Sequence, residues 1–195
     1  MRIGIDLDVI FDYESVILDK YNEKYGTNYA KDNLLEKEIW PTFGIKEELF
    51  RERVQGLLRA GLFAISPSYP GAVSFLDDLS STIILDESWS NDLIFFSSRF
   101  GEDLSQYSDQ MVGILHALEL LEIPYRELHF TNQPWKVDCY LWISDNPKML
   151  RDFSKLNKPL LLVSRPWNSH VLGTMSYEEI ITHVWDRVQG EYIYV

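Results

Sequence analysis

The chain has 195 residues, enough for one α/β domain with a modest insertion and too few for two large domains. Its net charge of −12 argues against DNA or RNA polymers as partners, since binding them takes Lys and Arg to neutralise phosphates. One small phosphorylated ligand is still admissible at a locally positive site. No apolar run reaches about 18 residues, which argues against a membrane-spanning helix.

The predicted elements begin with a strand over residues 2–6, where Ile3 and Ile5 are apolar and Asp6 and Asp8 end the run. These opening residues lack the charged and apolar regions of a signal peptide. A helix is predicted over 13–26 from Val16, Ile17, Tyr21 and Tyr25, with Gly26 as its stop. A second helix is expected over 32–39, followed by a turn at Pro41 and Gly44. A third spans 46–60, with Leu49, Phe50, Val54, Leu57 and Leu58 on its apolar stripe and Gly61 as its cap. Glu36-Lys37-Glu38 and Glu47-Glu48 read as solvated helix faces.

The turn-rich loop 66–71, Ser-Pro-Ser-Tyr-Pro-Gly, is the best boundary in the chain. A short helix follows over 72–79, and then an ambiguous stretch over 81–91. Leu93 to Phe96 is a fully apolar run, as expected for a central parallel strand. The longest helical pattern covers 104–121. Further strands are expected over 128–131, 141–144 and 160–163. Short apolar strands separated by helices imply an α/β fold with a parallel sheet. The helices before residue 61 have no strands among them, so residues 13–65 read as a helical insertion in a core formed by 1–12 and 66–195.

Four features with polar chemistry follow successive strands, where ligands of open α/β sheets bind. Asp6-Leu7-Asp8 ends the first strand, and two carboxylates so close repel unless a cation or proton lies between them. Alone, the pair is equally ordinary turn chemistry. Ser97-Ser98-Arg99 follows Phe96 and suits either an anion site or a helix N-cap. Lys136 is a compact positive charge that is either a phosphate partner or a solvated side chain. Asp145, in Ser144-Asp145-Asn146-Pro147, either completes a metal site or forms a turn before proline. The order Asp-x-Asp, hydroxyl, lysine, aspartate carries more weight than any one of them. Hard oxygen ligands of this kind suit Mg²⁺.

In these motifs the chain resembles the haloacid-dehalogenase superfamily, through Asp6-Leu7-Asp8-Val9-Ile10, Ser97, Lys136 and Asp145. It is more narrowly similar to the 5′(3′)-deoxyribonucleotidase family. That likeness adds Gly61-Leu62-Phe63, Pro70-Gly71-Ala72, Ser97-Ser98 and Arg165-Pro166-Trp167-Asn168. It departs from the family pattern at Val9, Ile10, Ser144 and Asn146. The resemblance implies a Rossmann-like parallel sheet with helices on both faces and a small helical cap after the first strand. It implies a Mg²⁺-dependent phosphatase for a small phosphate monoester, with a (deoxy)ribonucleoside monophosphate as the favoured case. Asp6 would be the nucleophile and Asp8 the general acid and base. Asp6, Asp8 through its backbone carbonyl, and Asp145 would hold the metal, and Ser97, Ser98 and Lys136 the phosphate. Phe11, Phe43, Arg99, Arg165 and Asn168 are candidate substrate contacts. Trp40, Phe43 and Phe50 would stack on a base or form the core of the cap, and Trp135 is uncommitted. A homodimer stays open.

The single cysteine, Cys139, fits a reducing cytoplasm and reads as a small buried hydrophobe rather than a catalytic thiol. His116, His129, His170 and His183 lack metal-binding spacing. No P-loop motif occurs, which argues against an ATP-dependent kinase of that type. Two rival functions stand beside the nucleotidase. One is a phosphatase for a sugar phosphate or other small metabolite, and the other a non-catalytic binding or regulatory module on the same fold.

Overall fold

A computed structural model describes residues 1–58, 66–81, 83–84, 87–88, 91–98 and 108–192. Its centre is a six-stranded, all-parallel sheet. The strands are β1 (Arg2–Asp6), β4 (Asp92–Ser97), β5 (Glu127–Phe130), β6 (Leu141–Ser144), β7 (Leu160–Val163) and β8 (Thr174–Met175). A separate antiparallel pair joins β2 (Ile83–Ile84) to β3 (Glu87–Ser88). The order in the large sheet is β5-β4-β1-β6-β7-β8, so the chain builds outward from β1 to one side and then to the other. The crevice of such a sheet opens where this reversal occurs, at the carboxyl end of its central strand.

Burial on both faces explains the apolar runs. Ile3, Ile5 and Phe95 enter one large core shared with helices α4 (Ala72–Ser80), α5 (Ser108–Leu120) and α7 (Tyr177–Tyr192). Phe75 of α4 stacks on Tyr177 of α7 with centroids 4.5 Å apart. The opposite face carries a smaller cluster of Phe96, Trp142, Met149 and Phe153, covered by α6 (Met149–Lys155). The fold is therefore α/β and Rossmann-like, as expected. Among the described residues, no helix is long and apolar enough to cross a membrane.

Between β1 and α4 lie α1 (Tyr13–Tyr25), α2 (Ile39–Thr42) and α3 (Glu47–Leu58). Asp12 caps α1 by accepting the Ser15 N–H at 3.1 Å, and Gly26 ends it at φ 64°, a left-handed conformation that glycine adopts without strain. The chain leaves the core at residues 10–12 and returns at 67–69. There the Asp12 N–H donates to the Pro67 carbonyl and the Tyr69 N–H to that of Ile10, both at 2.8 Å. The aromatics of this segment pack on each other: Tyr29 stacks on Phe43 at 4.0 Å, and Phe50 lies 5.6 Å from Tyr21 and 5.8 Å from Trp40.

The helix expected over 32–39 does not form. A 3₁₀ turn at Lys31–Asn33 leads into bends, with Leu34 and Glu38 extended, before α2 begins at Ile39. Long-range bonds override a weak local preference here. Lys31 pairs with Asp12 at 2.6 Å, and the Leu35 N–H donates to Thr42 Oγ1 at 3.2 Å. Leu49, placed on the apolar stripe of α3, is exposed, whereas Phe50 and Val54 are buried. Gly61, Leu62 and Phe63 lie outside the described residues.

Gly4 lets Trp142 of β6 pack closely on β1. A Cβ there would lie 2.7 Å from Trp142 Cδ1 and 3.3 Å from Cys139 Sγ. Trp142 is buried and donates its indole N–H to the Pro134 carbonyl at 3.2 Å, so it has little room to yield. Gly4→Ala should cost about 1–3 kcal/mol through overpacking. Urea unfolding would read this as a lower midpoint at unchanged slope; an unchanged midpoint would contradict the packing at this position.

Candidate functional site

β1 ends on Asp6, and the chain turns at once into a 3₁₀ turn, Leu7–Val9. Asp6 caps that turn by accepting the Asp8 N–H on Oδ1 at 3.3 Å. β6 runs beside β1 with Ile5 opposite Ile143, so Asp6 and Ser144 end their strands level and Asp145 follows. The carboxylates of Asp6, Asp8 and Asp145 consequently lie within 4.8 Å of one another, and all three side chains are buried. Ser97 shares the same rim on the other side of β1, because Asp6 pairs with Phe96. It is buried, and Ser98 beside it is half-buried.

Hydrogen bonds hold this arrangement from behind. Ser144 Oγ donates to Asp6 Oδ2 at 2.7 Å and accepts the Asn146 N–H at 3.1 Å. Asn168, fully buried, donates to the carbonyls of Asp145 and Val163 at 2.9 and 2.8 Å. Arg165 Nη2 and Tyr177 Oη both donate to the Val9 carbonyl, at 2.9 and 2.6 Å. The Arg165 guanidinium also lies 3.8 Å over the Tyr69 ring. Arg165 and Asn168 therefore order the two loops that carry the aspartates.

The cation at the centre belongs to none of the motifs. Lys37 Nζ lies 2.6 Å from Asp8 Oδ2 and also pairs with Asp145 Oδ1. Glu36-Lys37-Glu38 is thus not a solvated helix face: it is bent chain, and the Lys37 side chain is only 13 % exposed. Next to it, Glu38 pairs with Lys148 at 2.6 Å. Lys136 sits exposed on the 3₁₀ turn Pro134–Lys136 and makes no ion pair with the three aspartates. It follows β5, which β4 separates from β1.

Of the other candidates, Phe11 is packed in the core 5.6 Å from Tyr13, and Phe43 sits within the aromatic cluster of residues 13–58. Arg99 lies outside the described residues. Trp135 meets Phe153 edge-on at 6.2 Å. Cys139 is half-buried, with burial pushing its thiol up to about 11, which leaves it protonated and unreactive at neutral pH. Among the described residues, the three aspartates are the one group placed to hold a metal ion.

The electrostatics are unbalanced. Burial and the Asp8 charge push the Asp6 carboxyl up to about 6, against the opposing pull of Lys37 and the Ser144 hydrogen bond. Burial pushes Asp145 up to about 7, with Lys37 opposing and the charges of Asp8, Asp6 and Glu14 adding to the rise. When all are ionised, three carboxylates facing one ammonium leave an excess of two negative charges. Asp145 Oδ2 is buried without a hydrogen-bond partner. Clustered hard oxygens, an orphaned carboxylate oxygen and this excess charge fit a divalent cation such as Mg²⁺.

Three further residues act on the aspartates: Lys37, Ser144 and Glu14. Lys37 sits in a charged run that carries no local mark of burial. Ser144 bonds to Asp6 only through the pairing of β1 with β6, which no local pattern reveals. Glu14 did carry a signal, since it shares a helical stripe with Leu18 and Tyr21, and all three are buried.

Without metal, Asp6 and Asp145 keep their protons to higher pH in the folded chain than in the unfolded one. The folded state then binds more protons from the ordinary carboxyl range up to about 7, and stability falls as pH rises through that window. With chelator present, Asp145→Asn should melt higher than wild type. The gap should grow between about pH 4 and pH 7 and then level at about 3 °C or more. A variant melting below wild type at pH 8 would contradict the excess negative charge.

No protein-family model matches this chain, and comparison with curated proteins gives no match.

Proposed function

We propose that this protein is a Mg²⁺-dependent phosphomonoesterase of the haloacid-dehalogenase type, similar to the 5′(3′)-deoxyribonucleotidases. Its substrate would be a small phosphate monoester, with a (deoxy)ribonucleoside monophosphate favoured, and its compartment the cytoplasm. The convergence of Asp6, Asp8 and Asp145 at the carboxyl rim of the central strands carries this reading. In this reading residues 13–65 form the cap over the site, which the reach of Lys37 into the aspartates supports.

The chemistry follows from the residues in place. Ser144 and the Asp8 N–H engage both oxygens of Asp6, which fixes the carboxylate's orientation at the strand end. Asp6 would attack phosphorus to form an aspartyl-phosphate, with the alkoxide leaving on the opposite side. Asp8 would protonate that alkoxide and then take a proton from the water that hydrolyses the acyl phosphate. Ser97, Ser98 and Lys136 are the proposed phosphate contacts. Mg²⁺, held by the carboxylates of Asp6 and Asp145 and the backbone carbonyl of Asp8, would neutralise charge on the transferring phosphoryl group and leave the Asp8 carboxyl to move the proton. The bonds that Arg165 and Asn168 make to Val9, Asp145 and Val163 support a positioning role for both rather than contact with substrate.

A second reading is a non-catalytic binding module. The Lys37 ion pairs favour it, because they already engage two of the three aspartates. Phosphate release from an aryl phosphate separates the two. The phosphatase reading expects turnover that requires Mg²⁺ and stops with chelator. Asp6→Asn should lower it by about 10³-fold or more while still unfolding cooperatively. Turnover by that variant at near wild-type rate would reject Asp6 as nucleophile. Across a panel of phosphate esters, deoxynucleoside monophosphates should be preferred over sugar phosphates.

A further inference from the structure

Lys37 reaches the aspartates from a segment that is weakly tied. Residues 35–38 are bent chain with neither helix nor strand bonds. Beyond Lys37, the ties of the segment include buried Leu34, the Leu35–Thr42 hydrogen bond and the pairs of Lys148, 62 % exposed, with Glu38 at 2.6 Å and Glu36 at 4.0 Å. Exposed pairs contribute little, about 0–1 kcal/mol. The ammonium, by contrast, lies against two buried carboxylates, where the attraction is least screened.

We propose that Lys37 is the built-in counter-ion of the site, and that a divalent cation binds by displacing it from Asp8 and Asp145. This rests on the metal reading of the three aspartates. Asp8 Oδ2 and Asp145 Oδ1 are engaged by the ammonium, so a metal ion drawing on the Asp145 carboxylate, with Asp8 beside it, meets a competing positive charge a few ångströms away. Docking of residues 34–38 and loading of the metal therefore oppose each other, and by linkage each weakens the other by the same factor. Metal-free protein keeps the segment closed over a partly neutralised site; metal-loaded protein releases it.

Two measurements test this. The first is calorimetric titration of wild type and Lys37→Met with Mg²⁺. The variant should bind at least about tenfold tighter, because the apparent affinity of wild type is reduced by the fraction of molecules with Lys37 docked. The second is amine acylation of wild type, with and without saturating Mg²⁺, read residue by residue by mass spectrometry. Lys37 labelling should rise several-fold with Mg²⁺, while Lys20, on the outer face of α1, serves as an unchanged reference. Labelling separates true displacement from a mere gain in negative field, and it stands even if the variant folds poorly. Equal or weaker Mg²⁺ binding by Lys37→Met, or Lys37 labelling that stays level or falls with Mg²⁺, overturns the displacement while leaving the metal reading intact. No Mg²⁺ binding by either protein removes the metal reading, and the displacement with it.

Discussion

Three carboxylates buried within reach of one another are the constraint around which this fold is arranged. Ionised carboxylates out of water are costly, and their mutual repulsion adds to that cost. One ammonium, a serine hydroxyl and a backbone N–H offset part of it. A site that stores unfavourable charge in a pre-shaped cluster of hard oxygens is stabilised by whatever cation fits it, and anything that binds only the folded state adds to stability by mass action.

The scaffold delivers these groups by simple means. β1 lies between β4 and β6, so the ends of adjacent parallel strands set Asp6, Ser97 and Ser144 side by side at one rim. The loops beyond are then tied down from behind. The Val9 carbonyl accepts from both Arg165 and Tyr177, and the Asp145 carbonyl accepts from Asn168. The Arg165-Pro166-Trp167-Asn168 phrase, which helped mark the family resemblance, thus has a mechanical role in this chain. It joins the loop after β7 to the loops after β1 and β6.

Much of the sheet was legible because its strands are short, apolar and bounded by turns. The strands expected at 141–144 and 160–163 coincide with β6 and β7, and the strand-end positions of Asp6, Asp8 and Asp145 in the sequence mark the three carboxylates that come together. β8 has only two residues, too few to show a period. The segment 32–39 reads locally as helix, and only its long-range pairs make it otherwise. The same holds for Lys37: a charged residue between two glutamates carries no local sign that two distant carboxylates will claim it. Lys136 follows β5, which is not adjacent to β1, so strand pairing alone does not set its distance from the aspartates.

The central claim is that Asp6, Asp8 and Asp145 form one divalent-cation site. Crystals soaked in Mn²⁺, measured for anomalous scattering, test it most directly. The account predicts one strong peak bounded by these three residues, with carboxylate oxygens at roughly 2.1 Å, the spacing of a hard octahedral ion. A cluster that stays without a peak at saturating Mn²⁺, with Lys37 still seated on Asp8 and Asp145, would contradict it.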